Sequence, residues 1–191
     1  MTTNSRRFSA LSLTLALLVL VAAAPAAAQR RDDRPPAGQM DPTASPEVRG
    51  MASLLGEWRG SGTFEQEGQR ANIQGRWSCA ATSGGHGVRC NLVLTGLPGM
   101  DRYEETDLMG YNAADRLYHW YSVTNAGEVH DHAGSCDGTV TTFQYQGFAD
   151  GKLLVERITF TTVDARTMRI HATTTVGSQA LNAMDITITK S

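Results

Sequence analysis

From Glu57 to the C-terminus, apolar and polar side chains alternate with a period of two. In EWRGSGTFE, Trp58, Gly60, Gly62 and Phe64 share one face, against Glu57, Arg59, Ser61, Thr63 and Glu65. Residues 71–81 repeat the rule with Ile73, Gly75, Trp77 and Cys79, and 87–96 with Val88, Cys90, Leu92 and Leu94. Further strands are predicted at 103–111, 116–124, 128–136, 139–148, 152–162, 166–176 and 183–190, all rich in Thr, Val, Tyr, Phe and Ile. Turn signals such as Gly84-Gly85, Ala126-Gly127, Asp137-Gly138 and Asp150-Gly151 separate them. About ten short strands with tight links and no interleaved helices predict an antiparallel up-and-down barrel or a sandwich.

Ahead of the strands the period changes. Ser45-Pro46-Glu47 reads as an N-cap, a proline at the first helical position and an acid in the first turn. Val48, Met51 and Leu55 form one apolar stripe and Gly56 can end the segment, so 46–55 is predicted as a short helix covering part of the domain.

Two hairpins can be put in register. A two-residue turn at Gly84-Gly85 pairs Cys79 with Cys90, Trp77 with Leu92 and Gly75 with Leu94, all on the apolar face. It also puts the cysteines at a hydrogen-bonded pair, where Cα atoms stand about 5.5 Å apart. A turn at Ala126-Gly127 sets His119 opposite Gly134 and His132 opposite Tyr121, so that His119, His130 and His132 share one side.

The N-terminus does not belong to the domain. Arg6-Arg7, an apolar run from Leu11 to Val21 and the A-x-A site of Ala26 and Ala28 make the three parts of a secretion signal, residues 1–28, with the cut expected after Ala28. This predicts a periplasmic or secreted protein, with no membrane span once the signal is removed. Residues 29–44 are charged and Pro-rich, and read as a disordered leader. Residues 45–191 form one domain. The net charge of −2 gives no basic field for nucleic acid.

Export sharpens the reading of Cys79 and Cys90, which are expected to form a disulfide, leaving Cys136 unpaired.

The sequence LLGEWRGSGTF, a central GYNAADRLYHWY and a terminal strand ending at Lys190 resemble a bacterial calycin-like family, domain of unknown function 1579, related to lipocalin- and nitrobindin-type barrels. The resemblance implies a ten-stranded barrel over most of 46–191. It also implies a G-x-W motif, Gly56 and Trp58, in which the tryptophan closes one barrel end against a late-strand arginine, Arg157 or Arg169. The nitrobindin branch binds haem through a histidine near its C-terminus. Here the terminal strand AMDITITK has none, and His171 sits one strand earlier on the face opposite Met168 and Ile170, a departure that speaks against haem.

Of the chemistry-bearing residues, the three histidines are the sharpest lead: imidazoles on one face would suit zinc with an open position for water. Glu105 and Asp107 share a strand face and read as solvated. No G-x-S-x-G elbow or phosphate-binding loop is present, so an enzyme is not the leading expectation and no cofactor is required. The leading expectation is a barrel that binds a small hydrophobic molecule among Trp58, Trp77, Trp120 and Tyr121, where Gly60, Gly62 and Gly75 leave room. A metal protein built on the histidines and a packed barrel with an outer protein-binding surface are the alternatives.

Overall fold

The structure is a computed structural model and describes residues 38–191. The expected signal segment 1–28 and residues 29–37 of the expected leader lie outside the described residues. A short helix α1 (Pro46–Gly50) tightens into a 3-10 turn (Met51–Leu54). Ten strands follow: β1 (Gly56–Gln66), β2 (Gln69–Thr82), β3 (Gly87–Thr95), β4 (Tyr103–Asn112), β5 (Leu117–Thr124), β6 (Val129–Asp137), β7 (Val140–Ala149), β8 (Lys152–Asp164), β9 (Thr167–Val176) and β10 (Gln179–Lys190). Each pairs antiparallel with its neighbours in sequence, and β1 pairs with β10 to close the barrel. The alternation explains the result. Every strand turns one row of side chains inward, and closure leaves no unpaired edge.

The seam between β1 and β10 explains the glycines of the first strand. A Cβ on Gly62 would lie 1.9 Å from the backbone oxygen of Asp185, and one on Gly60 would lie 2.2 Å from that of Thr187. At Gly75 the Trp77 ring already fills the space, 2.4 Å from where a Cβ would be. These residues therefore let backbone and ring approach closely, and the space a side chain would take at each is already filled.

The first hairpin has the expected pairs, Cys79 with Cys90, Trp77 with Leu92 and Gly75 with Leu94. Its turn is longer than expected. The last pair is Thr82 with Gly87, so Ser83–His86 form a four-residue loop and not a two-residue one. That changes the cysteines from a wide to a narrow pair, with Cα atoms 4.1 Å apart, and a disulfide joins them.

The second hairpin departs by one residue. Trp120 pairs with His132, Tyr121 with Asp131 and Ser122 with His130. The turn has three residues, Asn125 to Gly127, with Gly127 in the left-handed region at φ 86° and its N–H donating to Thr124 O. A slip of one residue reverses the face of a side chain relative to its neighbour strand. His119 and Tyr121 therefore face outward, while His130 and His132 face inward.

One barrel end is plugged by the N-terminal segment. Ser45 caps α1, its Oγ accepting from Val48 N, and Ala44, Val48 and Met51 are buried against the strands. Trp58 Nε1 donates to Leu54 O at 2.8 Å, tying β1 to the 3-10 turn. The cation over the Trp58 ring is Lys190, Nζ 4.9 Å from the centroid, in place of the expected arginine. Arg157 and Arg169 lie on the outer surface, Arg157 donating to Gln144. Part of the stretch expected as a disordered leader is docked: Asp41 N donates to Gly85 O, Asp41 pairs with His86 at 3.1 Å, and Ala44 is buried.

Candidate functional site

Two different environments occupy the barrel, one apolar and one polar. Beneath the helical plug lies a cavity of about 320 Å³. Met51 and Leu54 roof it, Met109, Phe143, Phe160 and Met168 form its floor, and Tyr118, Thr141 and Thr162 add hydroxyls. The exposed residues Cys136, Gly138 and Thr139, at the β6–β7 turn, stand at its rim and open it to solvent. Cys136 carries a free thiol there. The apolar floor follows directly from the inward rows of β4, β7, β8 and β9.

Trp120 stands behind the cavity floor and separates it from the polar environment. Its ring packs edge-on against Phe143, with centroids 5.4 Å apart, and lies 5.5 Å from Phe160. On its other side it stacks on His132, and its Nε1 donates to Asp107 Oδ1 at 2.7 Å.

Beyond Trp120 the inward rows turn polar. Glu156 Oε2 accepts from His130 Nδ1 at 3.0 Å and from His132 Nε2 at 2.9 Å. Burial pushes the Glu156 carboxyl up, but the hydrogen bonds from His130 and His132, together with their charges, outweigh it and hold the pKa at about 2. The hydrogen bond with Glu156 raises His130 against its own burial. The His130 ring stacks on Tyr145, centroids 4.1 Å apart at 13°.

Asp107 is fully buried, on a row that crosses β5 at Ser122 to reach His130. Burial, then the neighbouring Glu105 carboxylate, pushes its pKa up to about 9, so it carries a proton at neutral pH. Its Oδ2 has no hydrogen-bond partner among the described residues. Glu105 accepts from Tyr103 Oη at 2.8 Å. The expectation that Glu105 and Asp107 are solvated is thus corrected: both point inward, and Asp107 is sealed.

The structure divides the residues singled out from the sequence. Trp58, Trp77 and Trp120 are buried in the core, yet none of them lines the cavity. Tyr121 is on the outer surface, 46% exposed, where it pairs across strands with Leu108, beside the exposed Val123 and Val129. His119 is also outside, bonded to Asp115 at 3.0 Å and 3.6 Å from Asp131. It does not join His130 and His132, whose third partner is Glu156. His171 faces outward and pairs with Asp185. Glu156 was missed, although it occupies the apolar phase of LLVERITF between Leu154 and Ile158. A charge on a core-facing row is the signal that would have found it.

No family model matches the chain, and no curated protein does. Among solved structures it is similar to Rv2717c from M. tuberculosis, with TM-score 0.55, 13% identity, and coverage of 77% of this chain and 98% of that one. It is also similar to the S-type phycobiliprotein lyase CPES from Guillardia theta, with TM-score 0.52, 13% identity, and coverage of 78% and 94%. Both likenesses place the fold among calycin-like barrels.

Proposed function

We propose that this is an exported calycin-like protein that seats one small apolar molecule between its helical plug and the barrel floor. The observation that carries the reading is the cavity of about 320 Å³ walled by Met51, Leu54, Met109, Phe143, Phe160 and Met168. Apolar walls with a few polar groups at one rim are the usual makeup of a small-molecule site. The volume is at the low end of the range of about 300–1,000 Å³ for such sites, which favours a compact one- or two-ring molecule over a long-chain lipid. Tyr118, Thr141 and Thr162 supply hydroxyls to orient a polar substituent. The fold neighbours lend architecture alone.

The probe N-phenyl-1-naphthylamine tests the site. It is expected to brighten and shift to the blue with the wild-type protein. Thr141→Trp, which fills the cavity, and alkylation of Cys136 at the rim are each expected to weaken its binding at least tenfold. Equal binding to wild type and to both blocked forms would place the probe elsewhere and end this reading.

Two finer statements belong to the same proposal. The motifs LLGEWRGSGTF and GYNAADRLYHWY support membership of domain of unknown function 1579. The charged start, apolar run and Ala28 support export, and the Cys79–Cys90 bridge fits an oxidising compartment. Among the described residues, no helix is long and apolar enough to cross a membrane. Sequencing of the exported form is expected to start at Gln29; a start at Met1 would refute cleavage.

A further inference from the structure

We infer that His130, His132 and Glu156 form a binding site for a divalent first-row cation such as zinc, separate from the apolar cavity and walled off from it by Trp120. Two imidazole nitrogens converge on a single carboxylate oxygen, at 3.0 and 2.9 Å from it. Zinc holds such ligands at about 2.0–2.1 Å, so two of them at a tetrahedral ion stand about 3.3 Å apart. Each nitrogen needs to separate from the carboxylate oxygen by only a few tenths of an ångström, and ligand atoms of all three residues lie within 4.8 Å of one another.

The tautomer of His132 points the same way. Its Nδ1 lies 3.3 Å from the carbonyl oxygen of Trp120, an acceptor only, so Nδ1 keeps its proton. The lone pair of the neutral ring is then on Nε2, the atom that faces Glu156. A histidine whose far nitrogen is fixed by a backbone carbonyl is the arrangement that orients metal ligands. A cation seated between Nε2 and the Glu156 oxygen is bound by both.

The site is also held in place. The His132 side chain is 2% exposed and stacked on Trp120, and His130 is stacked on Tyr145. Their strands β6 and β8 belong to a closed barrel, so the ligands sit on rigid elements. An independent observation is the buried Asp107 Oδ2, on the row that leads to His130 and without a partner, which marks polar capacity that the protein atoms do not satisfy. The His130 and Glu156 side chains are 19% and 20% exposed, which leaves the ion's remaining positions to water or a small anion. Two imidazoles and one carboxylate, with no thiolate, suit zinc and other borderline ions ahead of magnesium.

The test uses full-length, untagged protein stripped with EDTA. Calorimetry with zinc chloride is expected to show one ion per chain and a raised melting temperature, with magnesium chloride showing neither. Glu156→Gln and His130→Asn are each expected to weaken zinc binding at least tenfold, while His119→Asn, on the outer surface, leaves it unchanged. Cobalt(II) provides a readout on unmutated protein: tetrahedral or five-coordinate bands in the visible without a thiolate charge-transfer band, unchanged in Cys136→Ser. No heat and no melting shift at millimolar zinc would overturn the inference. So would binding that survives Glu156→Gln and His130→Asn but is lost in His119→Asn, which would move the ion to the outer His119–Asp115–Asp131 cluster.

Discussion

Replacing Asp107 with asparagine should make the barrel more stable at pH 8 while changing it little near pH 4. Asp107 has a pKa of about 9 in the folded chain, set first by burial and then by Glu105, against 3.8 for the unreached group. Between these values the folded state holds a proton that the unfolded state has released. The unfolded state binds fewer protons, so stability falls as pH rises, by about 1.4 kcal/mol per unit for a full proton. Over the three units from pH 5 to pH 8 the upper bound is about 4 kcal/mol, and relaxation around the site brings the expected change to about 2–4 kcal/mol. Asparagine keeps an oxygen to accept from Trp120 Nε1 and presents N–H groups where the acid carries its proton, but it does not titrate. Urea unfolding followed by tryptophan fluorescence, in EDTA with the disulfide intact, at pH 5 and pH 8, gives the stability difference between variant and wild type. Carboxylates remote from Asp107 cancel in that difference. If it stays constant from pH 5 to pH 8, Asp107 is not held protonated and the electrostatics argued above is wrong.

The seam and the bridge give two further tests. Gly62→Ala is expected to destabilise by about 3 kcal/mol, since its Cβ meets the Asp185 backbone at 1.9 Å, whereas Gly110→Ala, with nothing within 4 Å, shifts the urea midpoint little; equal effects would refute the close-approach account. Replacing Cys79 and Cys90 together by serine removes a loop closed over a separation of 11 residues, with an expected loss of about 3 kcal/mol by chain entropy, read as a lower melting temperature that a reducing agent no longer changes.

Strand content was legible because burial on one face writes a period of two directly into the chain, and ten such runs with turn residues between them leave few architectures. The Cys79–Cys90 register was legible for the same reason. Two-residue and four-residue turns differ by an even number of positions, so lengthening the loop to Ser83–His86 preserved every pair. At Asn125–Gly127 the error was odd. A three-residue turn moved His119 and Tyr121 to the outer surface, and no composition rule separates it from a two-residue turn at Ala126-Gly127. The polar belt was obscured differently. Asp107 shares its phase with Met109 and Tyr103, and Glu156 shares its phase with Leu154 and Ile158, but charged residues read as solvated unless their row is known to face the core. The cavity lay beyond reach, because it depends on how α1 and the 3-10 turn sit on the barrel end, which no alternation encodes.

The β1–β10 seam has a consequence for how the chain folds. The other pairings join strands that follow one another, and each can form as a local hairpin. The seam instead joins Trp58 to Lys190, across almost the entire domain. Closing that span carries the largest chain-entropy cost of any pairing here, and long-range pairing of this kind slows folding. The disulfide bridges a neighbouring hairpin and shortens the span by little. The order of events is therefore built in: local hairpins first, circularisation afterwards. An unclosed intermediate exposes the edges of β1 and β10, and in that interval the chain is most open to pairing with another copy of itself.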